Sequence, residues 1–293
     1  MEIKRAAVLG AGTMGSGIAQ LMAQNGITTV IYGRNEQRLN NALNKMKKGL
    51  MNRVEKGKIT EDEVKIIMSR LSVSTDIEVA ADCDFVLEAL LENVELKQEV
   101  FAKLDAIVKE DAILASTTTA CSLTEIASAM KNPQRFAGMH FYNPAVVMKL
   151  VEIMPAIQTS PETIAKVVEI ATGLGKETVV TAKEGIAGIT SRILAALLNE
   201  AVWVLEEGIG TVADIDKAMK MGANHAMGPL ELIDLIGLDV HLAKTETLYS
   251  KIGDARYRPC YLLKKMVAAG YLGRKAGKGF YDYSQNPPVP TRL

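Results

Sequence analysis

The architecture of the chain is set near its N-terminus by the stretch Val8-Leu9-Gly10-Ala11-Gly12-Thr13-Met14-Gly15-Ser16-Gly17-Ile18-Ala19. An apolar run before the glycines predicts a short buried strand, and apolar residues at helical spacing follow them. The first glycine permits a tight turn, the second lets backbone approach a pyrophosphate, and the third lets the helix pack on its strand. The helix N-terminus offers free N–H groups and a positive dipole. We therefore predict a dinucleotide site at Gly10, Gly12, Thr13, Met14 and Gly15. The alternative is a glycine-rich turn without a ligand.

The composition narrows the possible functions. The chain has 293 residues, enough for two domains, with 34 basic and 34 acidic side chains. A net charge near zero argues against nucleic acid or an anionic membrane as the main partner. Cys83, Cys121 and Cys260 lack the spacing of metal ligands and fit a reducing compartment. No signal segment precedes the first strand and no apolar run reaches the length of a membrane span. We expect a cytoplasmic enzyme without a metal site.

The end of the second predicted strand bears on the choice of cofactor. In NAD-binding units of this kind a carboxylate about twenty residues past the first glycine takes the ribose hydroxyls. This chain has Gly33 there, followed by Arg34. A guanidinium can pair bidentately with a 2′-phosphate and stack on adenine, so this pair favours NADP. The alternative is that Arg34 is a solvated loop residue and NAD is accepted.

Polar residues follow the next predicted strands, where open α/β sheets bind ligands. After residues 83–88 come Glu92 and Lys97, which are candidates for cofactor contacts or ordinary surface residues. After residues 112–116 comes Thr117-Thr118-Thr119-Ala120. Ser122 and Glu125 can cap the following helix, which leaves Thr119 for a substrate.

A histidine and a carboxylate lie on two further predicted strands. His140 ends one strand, Asn143-Pro144 turns the chain, and Glu152 lies within the apolar run of the next. A carboxylate inside such a run is costly to bury without a partner, and His140 is the natural one. A His–carboxylate pair fixes the tautomer and stabilises the imidazolium, as general acid–base catalysis requires. A structural role for the histidine is the alternative.

A long amphipathic helix is predicted over residues 36–56. Its outer face carries Lys45, Lys47, Lys48, Arg53 and Lys56, and Lys58 follows. Such a face is either solvated or a patch for a phosphorylated part of the substrate.

The domain organisation follows from a change of pattern. A βα-type pattern ends near residue 184, so we predict a nucleotide-binding domain over residues 1–184. Helical periodicity occupies residues 185–283, and we predict a flexible Pro-rich tail over 284–293. The long apolar helix face that begins near Ile193 is either a dimer seam or the core of this second domain.

Several blocks of this sequence together resemble the L-3-hydroxyacyl-CoA dehydrogenase family, in its bacterial form that acts on 3-hydroxybutyryl-CoA. The blocks are the glycine stretch, Glu92-Asn93 with Lys97, His140-Phe141-Tyr142-Asn143-Pro144, Met148-Lys149-Leu150-Val151-Glu152-Ile153, Gly222-Ala223-Asn224-His225-Ala226-Met227-Gly228-Pro229, and Leu272-Gly273-Arg274-Lys275-Ala276-Gly277-Lys278-Gly279-Phe280-Tyr281. The likeness covers nearly all of residues 3–283. It implies an α/β fold, a doubly wound Rossmann domain followed by an all-helical C-terminal dimerisation domain, with an acyl-CoA substrate and a homodimer.

The resemblance also implies roles for individual residues. His140 is the general base, or the acid in the reductive direction, and Glu152 orients it. Contacts with the cofactor are implied for Glu92, Lys97, Asn143 and Lys275. The basic segment 45–58 matches the place where the family holds the CoA phosphates, and Lys56 is our candidate there.

Three departures from the family pattern leave the substrate open. Thr119 stands where the family has a serine that contacts substrate and nicotinamide, and Ser191 stands where it has an asparagine. We expect both to bind substrate, with Thr119 also touching the cofactor. The third departure is Gly33-Arg34. Two other functions are considered: a 3-hydroxy-acid dehydrogenase acting on a substrate without CoA, and a dinucleotide-binding protein with weakened catalysis. The absence of lysine between Ile193 and Asn199 argues against the first.

Overall fold

The computed structural model describes residues 3–292, which divide into two compact units. The first unit ends at Gly188 and the second begins at Ile189. Each unit has its own hydrophobic core.

The first unit is built on a sheet of eight strands within the described residues. The strands are β1 Arg5–Leu9, β2 Thr28–Tyr32, β3 Leu71–Ser74, β4 Phe85–Glu88, β5 Ile113–Ser116, β6 Phe136–Phe141, β7 Leu150–Pro155 and β8 Glu177–Val180. Their order is β3-β2-β1-β4-β5-β6-β7-β8. All neighbours are parallel except β6 and β7, which are antiparallel. The order reverses between β1 and β4, which is the switch point where doubly wound sheets bind nucleotides.

Helices cover both faces of this sheet. They are α1 Thr13–Gln24, α2 Glu36–Glu55, α3 Glu61–Ser69, α4 Val94–Ile107, α5 Leu123–Ala127 and α6 Pro161–Gly173. Along β1, Ala6 and Val8 pack with α1, α2, α3 and α6, whereas Ala7 and Leu9 pack with α4 and α5. Because the central strands β4, β5 and β6 are buried on both faces, they are mostly apolar rather than alternating, whereas the edge strands β3 and β8 are partly exposed.

The second unit is helical. Its helices are α7 Thr190–Glu206, α8 Val212–Gly222, α9 Pro229–Ile236, α10 Leu238–Ile252 and α11 Tyr261–Ala268. Their apolar faces form one core. The predicted fold class is thus confirmed. None of the described helices combines the length and the apolar character that a membrane crossing requires.

The prediction of a flexible C-terminal tail is wrong for the described residues 284–292. Residues Val289–Pro290 form a strand, β10, that pairs antiparallel with β9, Tyr281–Asp282. The amide of Thr291 donates to the carbonyl of Phe280, and Thr291 is buried. Proline has no amide to donate, which suggested disorder, but a two-stranded ribbon has edges on which proline is tolerated. The buried ring of Phe280 anchors the ribbon to the helical core.

Candidate active site

The glycine turn after β1 has the shape that a dinucleotide needs. Gly10 has φ +115°, and a Cβ there would lie 2.4 Å from the carbonyl oxygen of Ala89. At Gly15 a Cβ would lie 2.0 Å from the carbonyl oxygen of Gly10, so the helix packs directly on the turn. Beside Gly12, in contrast, a Cβ would meet nothing within 4 Å. Helix α1 begins without a side-chain cap and without an acidic residue in its first turn. Its free amides therefore fit a pyrophosphate.

The antiparallel pairing of β6 and β7 brings His140 and Glu152 together. The two residues are directly opposite in the register. The Nδ1 atom of His140 lies 3.1 Å from Oε2 of Glu152, with the residues 6% and 1% exposed. When Nδ1 carries the proton and donates it to the carboxylate, Nε2 is left with the lone pair that a general base uses.

A residue that the sequence reading missed, Gly188, packs against this pair. It has φ +63°, and a Cβ there would lie 2.1 Å from Oε2 of Glu152 and 3.6 Å from Nδ1 of His140. The neighbouring amide of Ala187 donates to the carbonyl of Thr119 over 2.9 Å. No local pattern in the sequence distinguishes this glycine, because its closeness to Glu152 arises from distant segments.

The loop that carries Thr119 is held by Glu92. Its carboxylate accepts from the amide of Thr119 over 2.7 Å and from the hydroxyl of Thr118 over 2.5 Å. Burial opposes the charged form, but these hydrogen bonds and the nearby charge of Lys97 lower the pKa of Glu92. Glu92 therefore holds the loop through these hydrogen bonds. Its side chain is 40% exposed, so its charge also faces solvent. Its predicted contact with the cofactor stays a prediction.

Lys97 lies in the interior of the first unit, with a side chain only 1% exposed. Its ammonium is 2.5 Å from Oε1 of Glu88 and 3.8 Å from Oε2 of Glu92. The hydroxyl of Ser116 donates to the other oxygen of Glu88 over 2.6 Å. Glu88 was missed by the sequence reading because it looked like the polar end of a strand. The cofactor contact predicted for Lys97 stays a prediction, while its observed partners are carboxylates.

Gly33 and Arg34 line a cavity of about 190 Å³ between the end of β2 and α4. Apolar side chains from Leu90, Leu96 and Val100 form much of its wall, which suits an adenine ring. Helix α4 also contributes Glu99 and Lys103 to this cavity. The sequence reading named neither of them.

The basic segment lines a larger cavity of about 780 Å³. Lys45, Arg53, Lys56 and Lys58 line one part of it, and Gly12 and Thr13 of the glycine turn line another. The structure thus gathers four cations beside the predicted pyrophosphate site.

The remaining predicted residues are described within their own units. Asn143 is exposed in the turn between β6 and β7. In the second unit, Ser191 is buried in the first turn of α7. Lys275 is exposed, and its ammonium contacts both carboxylate oxygens of Asp239, at 2.5 and 2.7 Å. Their predicted roles stay predictions.

A doubly wound sheet with a dinucleotide turn at its switch point and a buried His–Glu pair defines a nicotinamide-dependent oxidoreductase. Two domain models of one family match the chain: "3-hydroxyacyl-CoA dehydrogenase, NAD binding domain" over residues 5–185 and "3-hydroxyacyl-CoA dehydrogenase, C-terminal domain" over residues 189–283. The chain belongs to the 3-hydroxyacyl-CoA dehydrogenase family.

Individual relatives agree over nearly the full length. A Bacillus subtilis protein named "Probable 3-hydroxybutyryl-CoA dehydrogenase" is 46% identical over 285 residues, which cover 97% of this chain and 99% of the relative. The 3-hydroxybutyryl-CoA dehydrogenase of Bradyrhizobium diazoefficiens is 43% identical over 290 residues, 99% of each chain. The crystal structure of (S)-3-hydroxybutyryl-CoA dehydrogenase from Ralstonia eutropha has a TM-score of 0.92 at 40% identity, covering 97% of this chain and 100% of that chain.

Proposed function

We propose that this enzyme interconverts an L-3-hydroxyacyl-CoA and the corresponding 3-ketoacyl-CoA, with 3-hydroxybutyryl-CoA and acetoacetyl-CoA as its substrate pair. The observation that carries the proposal is the His140–Glu152 pair, 3.1 Å apart and buried on the same sheet as the dinucleotide turn. The names of the relatives support the choice of substrate.

The protein's own groups move the proton. In the oxidative direction Nε2 of His140 takes the proton of the substrate hydroxyl, and Glu152 stabilises the imidazolium that forms. In the reductive direction the imidazolium returns that proton to the carbonyl oxygen. The nicotinamide ring, when bound, accepts or supplies the hydride. The half-buried hydroxyl of Thr119 is available to hydrogen-bond the reacting oxygen, and we assign the same role to Ser191.

The basic cavity is the proposed site for the CoA phosphates. Lys45, Arg53, Lys56 and Lys58 line it together, and exposed ammonium groups attract phosphate strongly at low ionic strength. Lys56 is the C-cap residue of α2, and its positive charge offsets the negative end of the helix dipole, which would otherwise repel a phosphate.

NADP is favoured over NAD because Gly33 stands where NAD-binding units usually have a carboxylate, and because the cation Arg34 lines the same cavity as Gly33.

The decisive experiment measures initial rates with NADH and NADPH across a short series of 3-ketoacyl-CoAs, with free acetoacetate as the comparison. We expect acetoacetyl-CoA to be reduced fastest, and NADPH to give the higher kcat/KM. Faster reduction of free acetoacetate would instead support the 3-hydroxy-acid dehydrogenase. Cofactor binding without reduction of any of these compounds would support the weakened, binding-only protein.

We also propose a homodimer that forms through the helical unit. An apolar cavity of about 390 Å³ lies among α7, α8 and α9, with Ile209 beside it 70% exposed. Size-exclusion chromatography with light scattering should give twice the mass of one chain, and the mass of a single chain would refute the dimer.

A cytoplasmic location stays a prediction, supported by three cysteines that are free and buried.

A further inference from the structure

The cavity beside Arg34 contains an ion pair on the facing helix. Glu99 and Lys103 lie one turn apart on α4 and both line this cavity. The ammonium of Lys103 lies 2.7 Å from Oε1 of Glu99, and the two side chains are 58% and 64% exposed. An exposed pair of this kind contributes little to stability, so the two residues are free to change partners.

Arg34 acts on the same carboxylate. The hydrogen bond and charge of Lys103 lower the pKa of Glu99, and the charge of Arg34 lowers it further by a smaller amount. Glu99 is therefore paired with Lys103 of its own helix and also feels the charge of Arg34, which lines the same cavity from the end of β2.

A phosphate monoester is a stronger partner for these cations than a carboxylate. It carries about two negative charges at neutral pH and three acceptor oxygens, and a guanidinium can hold it bidentately. We propose that Arg34 and Lys103 together bind the 2′-phosphate of the cofactor, and that Glu99 sets the preference between NADP and NAD. This inference rests on the proposed use of NADP.

The role of Glu99 follows from its charge. When a 2′-phosphate binds Arg34 and Lys103, the carboxylate loses its partner Lys103 and lies beside another anion. Its repulsion therefore limits the preference for NADP. With NAD, the same carboxylate remains paired and can accept hydrogen bonds from the ribose hydroxyls, as an acidic residue at the end of β2 does in NAD-specific sites.

The test uses two adenosine probes that lack the nicotinamide, 2′,5′-ADP and 5′-ADP, and the full chain. Isothermal titration gives the affinity ratio of the two probes. We expect Arg34→Ala to weaken 2′,5′-ADP by about tenfold or more, and Lys103→Ala by about threefold to tenfold. Glu99→Gln keeps the shape and removes the charge, so it should tighten 2′,5′-ADP by about threefold. Affinity for 5′-ADP should change by less than about twofold in Lys103→Ala, and in Arg34→Ala it should fall by less than that for 2′,5′-ADP, because stacking on adenine is common to both probes.

The matched control is Glu95→Gln, an exposed glutamate in the first turn of the same helix that does not line the cavity. It should leave the ratio unchanged. If Arg34→Ala abolishes the preference for 2′,5′-ADP while Lys103→Ala and Glu99→Gln leave it as in the wild type, the inference is wrong and the NADP proposal stands. If the wild type shows no preference but Glu99→Gln creates one, the NADP proposal fails and the role of Glu99 is supported. If neither the wild type nor Glu99→Gln prefers 2′,5′-ADP, both the NADP proposal and the role of Glu99 are wrong.

Discussion

His140 and Glu152 show how backbone pairing places two reactive side chains. They lie opposite each other on β6 and β7, so the register of two strands holds the imidazole and the carboxylate 3.1 Å apart. Because both are buried, water screens their interaction weakly, and the carboxylate stabilises a positive imidazole more than it would at the surface. Because strand pairing holds the two side chains together, no substrate contact is needed to assemble them.

The first prediction concerns the histidine itself. His140→Gln keeps a polar side chain of similar size but cannot take or give a proton at neutral pH. Turnover should fall by about 10²–10⁴-fold, the usual contribution of a positioned general base. The dissociation constant for cofactor, measured by fluorescence titration, should stay nearly unchanged. A variant with wild-type turnover would remove His140 from the mechanism.

The second prediction concerns Gly188. Gly188→Ala adds a methyl group that would lie 2.1 Å from Oε2 of Glu152, at a backbone with φ +63°. Glu152 must then move away from His140, so kcat should fall by about tenfold or more while cofactor affinity is kept. Gly185→Ala is the matched control, because a Cβ there meets nothing within 4 Å. Equal kcat in the two variants would contradict the proposed packing.

At the scale of elements, the junction of β4 and α4 depends on a buried ion pair. Glu88 ends β4, Lys97 lies on α4, and Ser116 ends the neighbouring β5. Their hydrogen bonds join three elements at the carboxyl edge of the sheet, directly behind the loop that carries Glu92. Removing one partner of a buried ion pair leaves an uncompensated charge in the interior, which lowers the free energy of unfolding.

Lys97→Met tests this junction. The change leaves the fully buried carboxylate of Glu88 without its cation, so the free energy of unfolding should fall by about 3 kcal/mol in urea titration. Lys65→Met is the control, because Lys65 pairs with Asp62 at the surface, where the side chains are 73% and 84% exposed. It should change stability by less than about 0.5 kcal/mol. A similar loss in both variants would show that burial of the pair is unimportant.

At the scale of the whole molecule, a buried histidine links stability to pH. His241 on α10 is 2% exposed, and burial, with a smaller contribution from the charge of Lys244, lowers its pKa to about 4. Unfolding exposes the ring and returns its pKa to the ordinary value of 6.5. The unfolded chain therefore binds this proton first as the pH falls.

The neutral ring contributes its full stability above about pH 6.5, and this contribution is lost as the pH falls towards 4, below which the loss is constant. Between about pH 7.5 and pH 5 this histidine should account for about 2 kcal/mol of lost unfolding free energy. Urea titrations at both pH values should show that His241→Leu removes this part of the pH dependence. The same dependence in the variant would assign it to other groups.

Local patterns in the chain were sufficient for the fold class. The strand, glycine turn and helix of residues 6–24 are close in sequence, and each depends on local backbone geometry and apolar spacing, so they could be predicted from the sequence. The helices of the second unit were predictable for the same reason. The capping box that opens α3, between Thr60 and Glu63, likewise spans a single turn, so its two residues are close in sequence.

Other features depend on segments far apart in the chain. A shift of one residue in the pairing of β6 and β7 would turn Glu152 to the other face of the sheet, and no local pattern specifies that register. Lys97 was predicted either to contact the cofactor or to be an ordinary surface residue, and no local pattern indicated its burial beside Glu88. The Pro-rich C-terminus was predicted to be flexible, but its strand β10 pairs with β9, which the local sequence does not indicate.

The amino-acid sequence alone was therefore enough to predict the α/β class, the glycine turn and the pairing of His140 with Glu152, because short-range backbone preferences and characteristic motifs encode them. Tertiary structure alone decided the closeness of Gly188 to Glu152, the burial of Lys97, and the meeting of Arg34 with Glu99 and Lys103 at one cavity. The physical reason is that these contacts arise from long-range packing, in which each residue's environment is set by segments that its own neighbours in the chain do not specify.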